Sequence, residues 1–170
     1  FLNMDDMCYG FVQGNGEQFH IEKLEGIDKW QDEAGDVTVI WCASVSENKT
    51  VVVGWYEHAN AYRYLQTLFA TPFTGIQRGF LFSTNAENAY LLPESERTFE
   101  IGRASKTGAG TGFGQHNYWF AESPYAQENV IPAVMKFIEE HRDVRINTLP
   151  CELNEPANIE PLSEAELNHM

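Results

Sequence analysis

The segment VVVGWYEHANAYRYLQ, residues Val51–Gln66, decides the fold of this chain. Its opening valines are β-branched and favour a buried strand, and Gly54 lets another backbone or a ligand approach closely. Aromatic rings with polar tips then follow within a short distance of one another: Trp55, Tyr56, Tyr62 and Tyr64. Such rings form either a packed core or a platform on which a flat ligand stacks, and the sequence leaves both readings open.

The patterns around that segment predict a sheet with one long helix. Val37–Val45 alternates along its length with a strongly apolar face, and a polar turn joins it to the valine run as a hairpin. Further strands are predicted at Cys8–Gln13, Gln18–Lys23, Gly79–Ser83, Arg97–Ile101 and Asn117–Ala121. A short helix is predicted at Asn85–Leu92, and apolar residues at helical spacing predict a long one at Gln127–Arg142. The expected class is α+β.

The length of the chain predicts one folded domain followed by a polar tail. A chain of 170 residues can bury a substantial core and is most simply a single domain. We place a β-rich domain with its C-terminal helix at residues 1–149. After Pro150 the chain carries glutamates but no lysine or arginine, so residues 150–170 are expected to be an acidic tail or a linker.

The sequence also predicts a cytoplasmic protein with no membrane partner. The longest apolar stretch, Val37–Val45, is too short to cross a bilayer, and the first residues lack the basic region of a signal peptide. The three cysteines, Cys8, Cys42 and Cys151, are odd in number and widely spaced. This usage suits reduced thiols in the cytosol better than a disulfide framework or a zinc site.

The charge of the chain bears directly on its partners. A formal net charge of −14 argues against nucleic acid, because phosphate contacts need lysine and arginine. The charge is uneven, however: Ala59–Ala121 holds five basic and four acidic residues, and Arg103–Ala121 holds no acid at all. Because the local field governs a binding face, this middle region remains open to an anionic partner.

Motifs that would indicate an enzyme or a cofactor are weak. The glycine-dense loop Gly108–Gly114 has neither the Walker ending nor the dinucleotide-binding spacing, so it is either a flexible loop or a backbone phosphate cradle. Asp36 with Glu47 and Lys49 imitates the acidic set of metal-dependent nucleases, although Glu47 and Lys49 fall in a predicted turn. We therefore expect no catalytic residue, no metal and no cofactor in this chain, and its status as an enzyme stays uncertain.

Three short elements resemble one group of bacterial domains. Gly54–Arg63 is similar to a GWYxxAxxYR signature, Ala89–Pro93 with Arg97–Phe99 to an A-x-LLP…R-x-F element, and Gly114–Trp119 to a GQxNxWY element. These elements resemble those of domains that accompany modification-dependent restriction endonucleases, which we relate to the PUA-like group (EVE, YTH and ASCH domains). The resemblance implies a small, mostly antiparallel β-barrel with flanking helices that reads a modified base flipped into an aromatic pocket.

The expected function is therefore recognition of a modified, flipped nucleobase, most simply in DNA, by a module whose nuclease lies in a fused or associated domain. The residues expected to form the base-binding pocket are Trp55, Tyr56, Tyr62, Gln115, Asn117 and Trp119. Those expected to hold phosphates are Arg63, Arg103 and Lys106. We also expect the segments 55–63 and 115–119 to line one concavity. The alternatives are a β-domain that binds a nucleotide or another small molecule, and a metal-dependent nuclease.

Overall fold

The computed structural model describes residues 3–13, 18–46, 49–68 and 78–146. Within those ranges, seven strands belong to one sheet: β1 (Asn3–Met4), β2 (Met7–Gly10), β3 (Glu33–Ser46), β4 (Lys49–Leu68), β5 (Arg78–Asn85), β6 (Ala89–Leu91) and β7 (Glu100–Ile101). The α-helices are α1 (Ala104–Thr107) and α2 (Ile131–His141), and a π-helical turn at Ala126–Val130 leads into α2. The expected tail at residues 150–170 lies outside the described residues.

Strand β4 is the centre of the sheet. It pairs with β3 through a hairpin whose last pair is Ser46 with Lys49. Its other edge pairs in turn with β7, β6 and β5, all antiparallel, and β2 and β1 continue the sheet beyond β5. The prediction of a mostly antiparallel, sheet-rich fold with flanking helices is thus confirmed. Within the described ranges the sheet runs from β1 to β3 and does not close into a ring.

Both faces of β4 are buried because core residues cover each of them. Trp55 and Tyr56 are consecutive, and their side chains enter different core clusters. One cluster groups Tyr56 with Phe19, Ile21 and Phe82, among others. The other groups Trp55 with Val52, Leu92, Ile101 and three residues of α2: Val134, Phe137 and Ile138. The long strand at the middle of the sequence is therefore core on both sides.

The long helix is where the apolar spacing predicts it. Three of the residues that carry the pattern, Val134, Phe137 and Ile138, are buried against the sheet. Pro132 lies in the first turn of α2, where its missing N–H costs no hydrogen bond. The π-helical turn extends the helical run back to Ala126. No helix in the described part of the chain is long and apolar enough to cross a membrane.

Four predicted elements differ from the structure. Gln18–Lys23 contains a 3-10 turn, Ile21–Lys23, in place of a strand. The helix predicted at Asn85–Leu92 is limited to a 3-10 turn at Ala86–Asn88, because Ala89–Leu91 pairs with β4 and stacks Tyr90 on Trp55. Asn117–Ala121 forms no strand; its rings at 118 and 120 pack against Phe19 instead. The strand predicted at Arg97–Ile101 is reduced to β7.

Candidate functional site

A cavity of about 420 Å³ opens beside the edge strand β3. It is lined by residues of β3, the start of β4, and the segments around Phe11, Arg103 and Asn117: Phe11, Val12, Gln13, Ile40, Trp41, Cys42, Ser44, Thr50, Phe82, Arg103, Phe113, His116, Asn117, Tyr118 and Trp119. Aromatic rings therefore share its walls with hydroxyl, amide and guanidinium groups. Its volume lies within the range of pockets that hold small organic ligands.

Three of the residues expected at the site line this cavity: Arg103, Asn117 and Trp119. Asn117 is exposed, so its amide is accessible to a ligand, whereas Trp119 is half-buried with its ring 6.0 Å from that of Phe113. Gln115 is exposed but is not one of the residues that line the cavity. Lys106 is exposed on α1, close along the chain to Arg103.

Trp55 and Tyr56 are core residues and not walls of an open pocket, which corrects the expectation for both. Trp55 has no exposed surface, and its ring stacks on Tyr90 with centroids 4.9 Å apart. The hydroxyl of Tyr56 donates to the carbonyl of Tyr9 at 3.3 Å, and burial raises its pKa. The reason is that core residues cover both faces of β4 at this point, so neither ring is left open to a ligand.

Tyr62 also lies away from the cavity. Its hydroxyl is 3.2 Å from that of Ser83, and its ring meets the edge of Phe80. Of the expected concavity shared by segments 55–63 and 115–119, only Ala61 and Trp119 border a common cavity, a second one of about 280 Å³ with mainly apolar walls. In the larger cavity, Trp41 of β3 takes the position that the sequence assigned to Trp55.

Arg63 is a structural cation and is not available to phosphate, which corrects its expected role. It is buried, and its guanidinium lies 2.5 Å from the carboxylate of Glu22. Its Nε donates to the carbonyl of Gln31 at 2.8 Å. The hydrogen bonds of Glu22, first from His20, then from its own backbone and from Arg63, lower the pKa of this carboxyl to about 2. Arg63 therefore fastens the segment 22–31 to the sheet.

Arg103, unlike Arg63, forms no ion pair among the described residues. Its Nη2 donates to the hydroxyl of Ser44 at 2.7 Å, while its buried Nε has no hydrogen-bond partner among the described residues. No carboxylate among the described residues lies within ion-pair distance of its guanidinium. The neighbouring Glu100 pairs instead with Lys49 at 2.6 Å. A cationic donor with unused capacity thus lines the cavity of an acidic protein.

The glycine loop holds Arg103 in this position. The amide of Phe113 donates to the carbonyl of Gly102 at 3.0 Å, and the amide of Ala104 donates to the carbonyl of Phe113 at 2.8 Å. Gly112 packs so closely on Gly102 that a β-carbon at that position would overlap its backbone. The glycine at 112 is therefore required by this close approach, and the loop forms one wall of the cavity.

The nuclease-like set is not assembled by the residues that the structure describes. The carboxylate of Asp36 is 2.7 Å from Nδ1 of His58, at one end of the β3–β4 hairpin. Lys49 lies at the other end, opposite Ser46, and Glu47 is outside the described residues. No group of three His, Cys, Asp or Glu side chains in the described part of the chain could hold a metal ion.

Sequence reasoning missed Trp41, Ser44 and Thr50. Trp41 sits in an alternating strand and gave no local signal of exposure, because a pattern cannot tell an edge strand from a central one. Cys42, next to it, borders both cavities. Burial raises the pKa of this thiol to about 12, so it is a poor nucleophile at neutral pH.

Comparison with known proteins assigns no family. No family model matches the chain, and no curated protein or solved structure is significantly similar to it. What the cavity binds has to be inferred from the residues that line it.

Proposed function

We propose that this domain binds a modified nucleobase flipped out of nucleic acid and acts as the non-catalytic specificity module of a modification-dependent restriction system. The observation that carries the proposal is the cavity in which Trp41 and Trp119 share the walls with Arg103 and Asn117. On this proposal the open sheet with its flanking helix is a variant of the small PUA-like barrel.

The cavity has the chemistry that a flipped base requires. Extruding a base from a duplex costs a few kcal/mol, and stacking on protein rings offsets about 1–3 kcal/mol per base. Trp41 and Trp119 supply the rings, and both are half-buried, so each retains accessible surface. Asn117, exposed beside them, offers a donor and an acceptor to a base edge. These groups replace Trp55 and Tyr56 in the role expected from the sequence.

Contacts to the phosphate backbone would come from few residues. Lys106 is exposed on α1 and forms no ion pair within the described ranges, so it is the best remaining phosphate contact. Arg63 is not available to a phosphate, because it forms an ion pair with Glu22. Since each neutralised phosphate contributes to the salt dependence of binding, we expect a shallow salt slope.

The same scarcity of cations favours a second candidate, a nucleotide or other flat small molecule. The chain carries a formal net charge of −14, which opposes association with a polyanion. A single small ligand would need only the cavity, without an extended basic face. Both candidates use the same pocket. They differ in whether affinity increases when the ligand is part of a nucleic-acid strand.

Fluorescence anisotropy with labelled duplexes tests the proposal. The duplexes carry cytosine, 5-methylcytosine or 5-hydroxymethylcytosine at one position, and the same nucleosides are tested free. We expect a modified duplex to bind more tightly than the unmodified one, and Trp119→Ala to weaken it roughly 5- to 100-fold through lost stacking. Trp30→Ala, at an exposed tryptophan outside the cavity, is the matched control and should bind as wild type does.

Three results would redirect the assignment. If free nucleosides bind as tightly as the duplexes that contain them, the small-molecule candidate is supported. Cleavage of the duplex in the presence of Mg²⁺ supports a nuclease. A Trp119→Ala variant that melts as wild type does and binds every duplex equally well removes this cavity as the site.

A further inference from the structure

We propose that Ser44, Thr50 and Arg103 form a polar subsite along one side of the cavity, from the exposed Ser44 to the buried Thr50, and that this subsite receives an oxygen on the far edge of the bound ring. The subsite would favour a base with an oxygen-bearing substituent, such as hydroxymethyl, over the same base with a methyl group. This inference rests on the proposed function and names the class of modification that the site selects.

Three separate elements bring these side chains together. Ser44 of β3 and Thr50 of β4 are direct partners across the hairpin. Side chains of directly opposite residues lie on the same face of a sheet and close to one another. Arg103 reaches this pair from the segment after β7 and donates through Nη2 to the Ser44 hydroxyl at 2.7 Å. All three residues line the cavity.

Two polar atoms of this group are buried without a hydrogen-bond partner in the part of the chain that the structure describes. They are Oγ1 of Thr50 and Nε of Arg103, and only 5% of the Thr50 residue is exposed. Unpaired buried polar groups are costly, so most are satisfied in native proteins. Thr84 illustrates the ordinary case: it is equally buried, and its hydroxyl donates to the carbonyl of Glu57 at 2.7 Å. The hydroxyl of Thr50 has no such partner among the described residues.

The donor chemistry of the subsite selects oxygen. A guanidinium has only donors, so its free Nε–H can bond an acceptor but not an amino group. The threonine hydroxyl can either donate to that acceptor or accept from a hydroxyl proton, and a threonine side chain has more than one favourable χ1 angle through which to present it. No carboxylate within the described ranges supplies the missing acceptor, since Glu100 is paired with Lys49.

The position of the subsite within the cavity determines which part of the ligand it meets. Phe11, Ser44, His116 and Asn117 are exposed and mark the mouth, whereas Thr50 is buried and marks the floor. A flipped base enters with its sugar at the mouth, because the sugar stays attached to the strand. The ring edge opposite the glycosidic bond therefore approaches Thr50. A site built to bond a hydroxyl strongly rejects the analogue that lacks it.

The first experiment tests the unpaired hydroxyl without any ligand. Thr50→Val removes the hydroxyl with little change in shape, and Thr84→Val is the matched control. We expect Thr50→Val to melt at or about 2 °C above the wild-type midpoint, and Thr84→Val to melt about 4 °C below it. A Thr50→Val midpoint lowered as far as that of Thr84→Val would show that the Thr50 hydroxyl is already bonded, and would overturn the subsite.

The second experiment tests selectivity with duplexes that carry 5-hydroxymethylcytosine or 5-methylcytosine at one position. The wild type should prefer the hydroxymethyl duplex by about tenfold or more. Thr50→Val and Arg103→Gln should bind both duplexes alike, at about the affinity of wild type for the methyl duplex. Arg103→Gln should also leave the salt slope unchanged, whereas loss of a phosphate contact would reduce that slope by about 1.

The outcomes separate this subsite from the proposed function. Tight binding of both duplexes with no preference, or a preference that survives Thr50→Val, overturns the subsite and leaves the reader function intact. Failure of every duplex to bind overturns the reader function. The subsite is then tested with the free nucleosides by the shift in melting temperature that each causes. A larger shift of wild type with the hydroxymethyl nucleoside than with the methyl nucleoside, lost in Thr50→Val, supports the subsite. Equal or absent shifts overturn it.

Discussion

Arg63 and Arg103 show how differently two regions of one sheet use the same side chain. The guanidinium of Arg63, on the central strand, forms an ion pair with Glu22 and donates to two backbone carbonyls. Arg103, beside the edge strand, donates one hydrogen bond to Ser44, and its buried Nε–H has no partner within the described ranges. Trp55 and Trp41 differ in the same way, since the first is enclosed by core while the second lines a cavity.

Of these two arginines, the one held by an ion pair and two carbonyls belongs to the scaffold, and the one whose Nε–H has no partner among the described residues lines the candidate cavity. A buried group with all its partners stabilises the fold and has nothing left for a ligand. A buried group without a partner costs stability, and a ligand that supplies the partner recovers that cost. Mutations in the central region should therefore act on stability, and those around the cavity should act on binding.

The largest expected effect is at Trp55. Trp55→Ala should lower the free energy of unfolding by about 4 kcal/mol, because it removes a fully buried ring and leaves a cavity between the sheet and α2. Urea unfolding followed by circular dichroism measures the change. The exposed Trp30→Ala should stay within about 0.5 kcal/mol of wild type. A similar cost for both variants would contradict the assignment of Trp55 to the core.

The two arginines give the next contrast. Arg63→Gln should destabilise by about 3 kcal/mol, since it breaks a buried ion pair and removes the Nε–H that donates to the carbonyl of Gln31. Arg103→Gln should cost no more than about 1 kcal/mol, because it loses one hydrogen bond, to the exposed Ser44, and no ion pair within the described ranges. Equal losses in urea unfolding would mean that Arg103 is as structural as Arg63.

The contribution of the Arg63–Glu22 ion pair to stability should depend on pH, because Glu22 loses its charge in acid. Its pKa is about 2 in the folded protein and 4.5 in the ordinary case, so its ionised form stabilises the fold. This contribution is complete above pH 4.5 and is lost as the pH falls from 4.5 towards 2. The stability difference between wild type and Glu22→Gln should therefore be larger at pH 7 than at pH 3. Glu122→Gln, at the exposed pair with Lys23, should differ little from wild type at either pH.

The smallest effect concerns the thiol that borders both cavities. A pKa of about 12, against the usual 9.0, leaves Cys42 with roughly a thousandfold less thiolate than a free cysteine. Iodoacetamide labelling followed by peptide mapping should therefore modify Cys42 far more slowly in the folded protein than in urea. A ligand that fills the larger cavity should slow labelling further. Rapid labelling of the folded protein would show that this wall is open.

Local patterns in the sequence were enough for the elements whose periodicity is strong. The alternation in Val37–Val45 and the valine run predicted β3, β4 and their hairpin, and helical spacing predicted α2. Weak or short patterns failed: Ala89–Leu91 is a strand because β4 is there to pair with it. Burial of aromatic residues at 118 and 120 against Phe19 replaced the strand expected at Asn117–Ala121.

The candidate site was predictable only in part. Arg103, Asn117 and Trp119 were identified from a stretch rich in aromatic, amide and basic residues that holds no acid. Trp55, Tyr56 and Arg63 looked equally suitable, because composition does not reveal whether a side chain has a partner. Glu22, which pairs with Arg63, lies far from it in the sequence, and no local signal links the two.

The sequence by itself determined that the chain forms a sheet with one long helix, because hydrophobic periodicity is a local property of neighbouring residues. Only the tertiary structure decided which strand is central and which is an edge, and hence which tryptophan is core and which lines a cavity. It also decided which arginine and which threonine find partners. Those partners come from distant parts of the chain, so the unpaired groups that carry the proposed site become visible only after folding brings the strands together.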